Sequence, residues 1–129
     1  MLSDIVRTDV LTAAPDTTVE TVVDAMRTRE EAFVVVLDEQ YPVGLLSAAA
    51  VGLAIDRDSL RTTAARDLAA EPVTIRERAS REGLLSRFRE PGVEQLVVVD
   101  DADEFVGVVS RRRLLSTYAD EFDALFSLF

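Results

Sequence analysis

A repeat inside the chain constrains its fold more than any other feature. Two apolar runs end in an acid, Val34-Val35-Val36-Leu37-Asp38 and Leu96-Val97-Val98-Val99-Asp100, at an offset of 62. Shortly after each comes a second run, Val43-Gly44-Leu45-Leu46-Ser47 and Val106-Gly107-Val108-Val109-Ser110, at an offset of 63. The extra residue falls in the turn between the runs, where an insertion perturbs least. Upstream, Val10-Leu11-Thr12 matches Pro72-Val73-Thr74, again at 62. A period of this size means one supersecondary unit used twice.

Between the short upstream segment and the paired runs, each copy carries a helical pattern. Val19, Val22, Val23 and Met26 recur at i, i+3, i+4 and i+7, and Leu84, Leu85 and Phe88 take the equivalent places. Thr17 with Glu20 reads as a capping box for the first helix, and Ser80 as the N-cap of the second. A last helix begins at Ser47 in one copy and at Ser110 in the other. Short helical turns precede each copy, at Leu2 to Val6 and at Ala64 to Ala69, and the polar residues 56–63 connect the halves. Each copy is therefore strand, helix, strand, strand, helix. The continuous apolar strands predict that both faces of each sheet are covered. A unit of about 60 residues is marginal alone and is expected to pack on its twin.

Composition removes whole classes of chemistry. The chain has no Cys and no His, which excludes disulfides, thiolate nucleophiles, imidazole bases, and Cys- or His-ligated metal sites. All 14 basic residues are Arg, so lysine Schiff bases and a P-loop lysine are absent too. The 24 acidic residues set a net charge of −10, the pattern of a protein adapted to concentrated salt, and argue against nucleic-acid binding. No stretch approaches the ~18 apolar residues of a membrane span and no signal peptide opens the chain. The expectation is a soluble, cytoplasmic protein that is not an enzyme and holds no metal.

Tandem β-α-β-β-α units with V-V-V-L-D, then P-V-G-L-L-S, in one copy and L-V-V-V-D, then F-V-G-V-V-S, in the other resemble a pair of CBS domains, also called a Bateman module. The resemblance spans roughly residues 1–118 and implies an α/β (α+β) fold of two repeats packed pseudo-symmetrically through their sheets. The corresponding boundaries are residues 1–60 and 61–118, with an apolar helical tail over 119–129. It also implies a regulatory module whose pairs dimerise, with a cleft between copies that takes AMP, ADP, ATP or S-adenosylmethionine. Nucleotide-binding members carry G-h-h-[ST]-x-x-D, with h apolar. The hydroxyl meets the ribose or phosphate region and the Asp holds the ribose hydroxyls. Here the hydroxyl residues are Ser47 and Ser110, while the Asp position holds Ala50 in the first copy and Arg113 in the second.

The two copies consequently differ in what they offer a ligand. Ser47-Ala48-Ala49-Ala50-Val51 is either a small-residue helix packed closely on a neighbour or an adenosine pocket without its carboxylate. Ser110 is followed by Arg111-Arg112-Arg113, three cations in a first helical turn, where the helix dipole disfavours them. Either nearby carboxylates offset them or a bound phosphate does, held by the Ser110 hydroxyl and guanidinium forks. Residues 1–62 hold 11 acids and 5 Arg, while residues 63–129 hold 13 acids and 9 Arg, so the lean towards an anion falls on the second copy. The candidate ligand residues are Ser110, Arg112, Arg113, Thr74, Arg76, Val97 and Ser47.

Phe122, Leu125, Phe126 and Phe129 recur at i, i+3, i+4 and i+7 in the tail. That stripe either covers a face of its own chain or packs on a second protomer or a partner. The resulting expectation is a stand-alone homodimeric sensor that binds an adenine nucleotide or related anion and signals to a separate effector protein. The alternative is a ligand-free interaction module working through dimerisation and the C-terminal helix.

Overall fold

In the first repeat, the alternation of apolar runs, turn residues and caps folds into β1 (Thr12–Ala13), α1 (Val19–Arg29), β2 (Phe33–Asp38), β3 (Tyr41–Ser47) and α2 (Ala48–Ala54). The computed structural model describes residues 4–54 and 56–117. β1 runs parallel to β2, and β2 pairs antiparallel with β3, giving sheet order β1-β2-β3. The second repeat follows the same plan with β4 (Thr74–Arg76), α4 (Arg81–Phe88), β5 (Gln95–Val99), β6 (Phe105–Ser110) and α5 (Arg111–Thr117), in sheet order β4-β5-β6. Between the repeats lie a 3-10 turn at Arg57–Ser59 and the short helix α3 (Ala65–Leu68). The predicted tail over 119–129, with Phe122, Leu125, Phe126 and Phe129, lies outside the described residues.

Each repeat has its own core. In the first, Val19, Val22 and Met26 of α1 pack with Val34, Val36, Leu46 and Val51. In the second, Leu84 and Phe88 of α4 pack with Leu96, Val98, Val109 and Leu114. Alternation along a strand sends Val35 and Val97 to the opposite sheet faces, yet both are buried as well. The expectation that these continuous apolar strands keep both sides out of water holds for β2 and β5.

The chain divides into two units that are not consecutive stretches. One comprises residues 9–72 with 103–105, and the other holds residues 4–8, 73–102 and 106–117 among those described. Residues 4–8 therefore precede the first repeat but belong with the second. There Ile5 is fully buried in the second core, and Arg7 exchanges both backbone hydrogen bonds with Val108 at 2.9 Å. Residues 64–70 precede the second repeat but complete the first unit. Ala65 is buried in its core, and Ala70 exchanges both backbone bonds with Leu45 at 2.9 Å. In each unit this strap covers the outer edge of the last strand, which would otherwise present unpaired amides.

The straps explain the two motif glycines. A Cβ on Gly44 would lie 2.6 Å from the Cβ of Ala69, and one on Gly107 would lie 2.6 Å from Cγ1 of Val6 and press on the Arg7 carbonyl oxygen. Both distances are well inside van der Waals contact, so glycine is what lets backbone cross backbone here.

The first helix starts one residue later than the Thr17–Glu20 capping box predicts. Thr18 is the N-cap, and its Oγ1 accepts from the Thr21 N–H at 3.3 Å. The groups of the predicted box are engaged elsewhere: the Thr17 N–H donates to the Ala14 carbonyl at 3.1 Å, and the Glu20 carboxylate accepts from Arg61 Nε at 3.0 Å. Linker carbonyls also serve this helix end, with Val19 N–H donating to Thr63 and Glu20 N–H to Leu60. Ser80 caps α4 as predicted, accepting from the Gly83 N–H at 3.1 Å.

Candidate functional site

β6 passes straight into α5, so Ser110, Arg111, Arg112 and Arg113 follow one another from a sheet edge into a first helical turn. Ser110 is the cap, its Oγ accepting from the Arg113 N–H at 3.0 Å. A hydroxyl that accepts one bond keeps its own O–H to donate, so the Ser110 proton remains available to an acceptor. Ser47 does the same at the matching place in the first unit, accepting from the Ala50 N–H at 3.0 Å. Beyond Ser47 stand only Ala48, Ala49 and Ala50, which bring no charge and no side-chain donor.

The three arginines separate into two roles. Helical spacing puts Arg111 on the side of Leu114, which is buried in the second core. The Arg111 guanidinium donates through Nη2 to the Phe88 carbonyl at the end of α4 and lies 5.9 Å from the Phe88 ring centroid. Its backbone N–H donates to the Glu94 carbonyl at 2.9 Å, while its buried Nε has no partner among the described residues. A cation at the C-terminal carbonyls of α4 is electrostatically well placed. Arg111 thus ties α5 to α4. Arg112 and Arg113 are exposed and form no ion pair or hydrogen bond from the guanidinium among the described residues.

Thr74 and Val97 face each other across the parallel β4–β5 pairing. Thr74 is half-buried, and Val97 is fully buried and offers no polar atom from its side chain. Arg76, at the end of β4, donates from Nη1 to the Asp100 carbonyl at 2.7 Å, while neighbouring Arg78 pairs with Asp101 at 3.1 Å. Asp100 itself stabilises the hairpin turn by accepting from the Ala102 N–H at 2.9 Å. The unit therefore holds Ser110, Arg112, Arg113, Thr74, Arg76 and Val97, with Arg76 already engaged locally, while Ser47 belongs to the other unit. The role of Arg111 escaped the sequence reading, although Leu114 three residues on was the available signal.

Among the described residues no cluster of acidic side chains is arranged to hold a metal ion, and no helix is long and apolar enough to cross a membrane.

The family model for the CBS domain matches residues 2–51 and again 65–120. No curated protein matches the chain. Solved structures share its fold. OpuCA of Staphylococcus aureus is 18% identical, with a TM-score of 0.75 over 92% of this chain and 98% of its own. The CBS domain of a bacterial CNNM/CorC family Mg2+ transporter, solved in complex with ATP, is 19% identical, with a TM-score of 0.80 over 88% of this chain and 83% of its own. A conserved CBS-domain protein of unknown function from Thermoplasma acidophilum is 26% identical, with a TM-score of 0.76 over 91% of this chain and 67% of its own. With two β-α-β-β-α units and a family match over most of its length, the chain belongs to the CBS-domain family, as a tandem pair of these non-catalytic regulatory modules.

Proposed function

We propose that the chain is a regulatory sensor that binds an adenosine-type nucleotide or a related anion at the Ser110–Arg113 end of its second repeat and signals the binding to a partner protein. One observation carries this reading. In a chain of net charge −10, Arg112 and Arg113 stand exposed without a carboxylate partner among the described residues. The groups on offer are the Ser110 O–H and two guanidinium forks, all donors. Arg113 stands where nucleotide-binding relatives carry a ribose-holding Asp, so a ligand must present acceptors there. A phosphate chain does so, whereas the sulfonium of S-adenosylmethionine adds a cation to two others. The transporter CBS domain solved with ATP supports a nucleotide of the AMP, ADP or ATP series as the class to test.

Titration calorimetry with AMP, ADP, ATP and S-adenosylmethionine tests the reading. Affinity is expected to rise with phosphate count, and Arg113→Ala to lower it tenfold or more, since a charge-assisted hydrogen bond contributes roughly 1.5–3 kcal/mol. Unchanged affinity in that variant overturns the assignment. Signalling requires that the ligand bind two arrangements of the module unequally. The acidic surface supports working conditions of high salt in the cytoplasm, and a homodimer is the proposed assembly.

A second reading, a ligand-free interaction module, is favoured by one surface. Leu53 of α2 is 90% exposed, on a helix whose Ala48, Ala49 and Gly52 are exposed too. Absence of heat with every nucleotide, together with a concentration-dependent melt that Leu53→Ser abolishes, selects this reading over the first.

A further inference from the structure

Residues 4–8 are built into the unit whose β6 and α5 carry the candidate anion-binding groups. The strap exchanges two backbone bonds with Val108, and Ser110 lies two residues further along the same strand. Ile5 of the strap and Leu114 of α5 are buried in one core cluster. Gly107 is the seat, because any side chain there would strike Val6 and the Arg7 carbonyl. The strap thus meets this end of the unit twice, through the strand before Ser110 and through the core cluster that also holds Leu114 of α5.

We infer that residues 4–8 are a latch on this end of the second unit, so that seating the strap and ordering Ser110, Arg112 and Arg113 are coupled. The inference rests on the anion reading above. A strap lifted from Gly107 frees the outer edge of β6 and opens the core under Leu114, loosening the turn that presents the arginines. Linkage makes the effect reciprocal: an anion that prefers the seated form tightens the strap, and whatever pulls on the strap weakens the anion. The regulatory output would then leave the module through its N-terminal segment.

Residue-resolved hydrogen exchange on the full chain, with ATP as the probe and calorimetry alongside, tests the latch. With ATP at about 100 times its dissociation constant, exchange at the Arg7 and Val108 amides should slow by up to ~100-fold if the unlatched form does not bind. Arg7→Pro removes the N–H donated to Val108 at an exposed position of the strap. It should speed exchange at Val108 and weaken ATP roughly fivefold or more. Gly107→Ala should do the same from the opposite side of the contact. ATP binding with unaltered exchange at Arg7 and Val108 overturns the latch and leaves the anion site standing. Failure of ATP to bind the parent chain overturns the site itself. Exchange at Val108 unchanged in Arg7→Pro refutes the seat even if the Gly107 variant does not fold.

Discussion

Replacing Gly44 by alanine should destabilise the protein, whereas the same replacement at Gly52, eight residues on, should stabilise it. The Cβ added at Gly44 would lie 2.6 Å from the Ala69 Cβ and 3.4 Å from the Val36 Cβ. Neither neighbour is the far end of a flexible side chain, so the strap must shift. Doing so strains or breaks the two 2.9 Å bonds between Leu45 and Ala70. At about 1 kcal/mol per bond and ~1–3 kcal/mol for overpacking, the loss is roughly 3–5 kcal/mol. Alanine recovers ~0.5–1 kcal/mol through the stiffer unfolded chain, which leaves a net loss of roughly 2–4 kcal/mol. At about 4 °C per kcal/mol for a chain of this size, the melting temperature should fall by ~8–16 °C. Gly52 lies in α2 with open space around its Cβ position, so there alanine brings only helix propensity, ~0.5–1 kcal/mol and a rise of roughly 2–4 °C. Circular-dichroism melts of the two variants beside the parent measure both signs. A Gly44→Ala protein melting at or above the parent would refute the strap-crossing account of the motif glycines.

Ser110→Ala removes the cap on α5 and should cost about 1 kcal/mol in urea denaturation, while Thr17→Ala should cost less than Thr18→Ala because only the latter caps α1. Arg111→Met should destabilise the chain in the same assay by roughly 1–3 kcal/mol, through the lost bond to the Phe88 carbonyl, whereas Arg112→Met should be close to neutral. Leu46→Ala, at a fully buried position in the first core, should cost ~2–5 kcal/mol. Raising KCl from low concentration towards 2 M should raise the melting temperature, since the self-repulsion of a net charge of −10 is screened as the Debye length shrinks from about 10 Å to a few ångströms. A melting temperature that falls with added KCl contradicts that reading of the surface.

The repeat made the element order legible because strands and helices announce themselves by local period. β2, β3, β5 and β6 begin and end close to where the apolar runs do, and Ser80 caps the helix its position predicts, while Ser47 and Ser110, read as the first helical residues, end their strands and cap the helices that follow. The destination of the straps was not legible. Ile5 and Ala65 are apolar residues in short helical turns, and nothing in their spacing says which sheet they will join. The Thr17–Glu20 signature misled by one residue because the Thr17 N–H goes to the Ala14 carbonyl and Arg61, 41 positions from Glu20, takes its carboxylate. At the candidate site the residue types were evident in sequence, but the division of labour among three consecutive arginines was not. Which of them turns inward depends on the angle at which α5 leaves β6, and Leu114 going into the core fixes that angle only once the core exists.

Strap placement also sets an order of events during synthesis. The bond partners of the 64–70 strap lie 25 residues apart, from Leu45 to Ala70, so this strap can close on β3 almost as soon as that stretch has left the ribosome. Arg7 is made first yet must wait for Val108, 101 residues later, and until then Ile5 has no core to enter. On chain-entropy grounds the longer closure costs about 1.2 kcal/mol more than the shorter one. Residues 4–8 are thus among the last parts to settle, because their bond partners arrive so much later than those of the other strap.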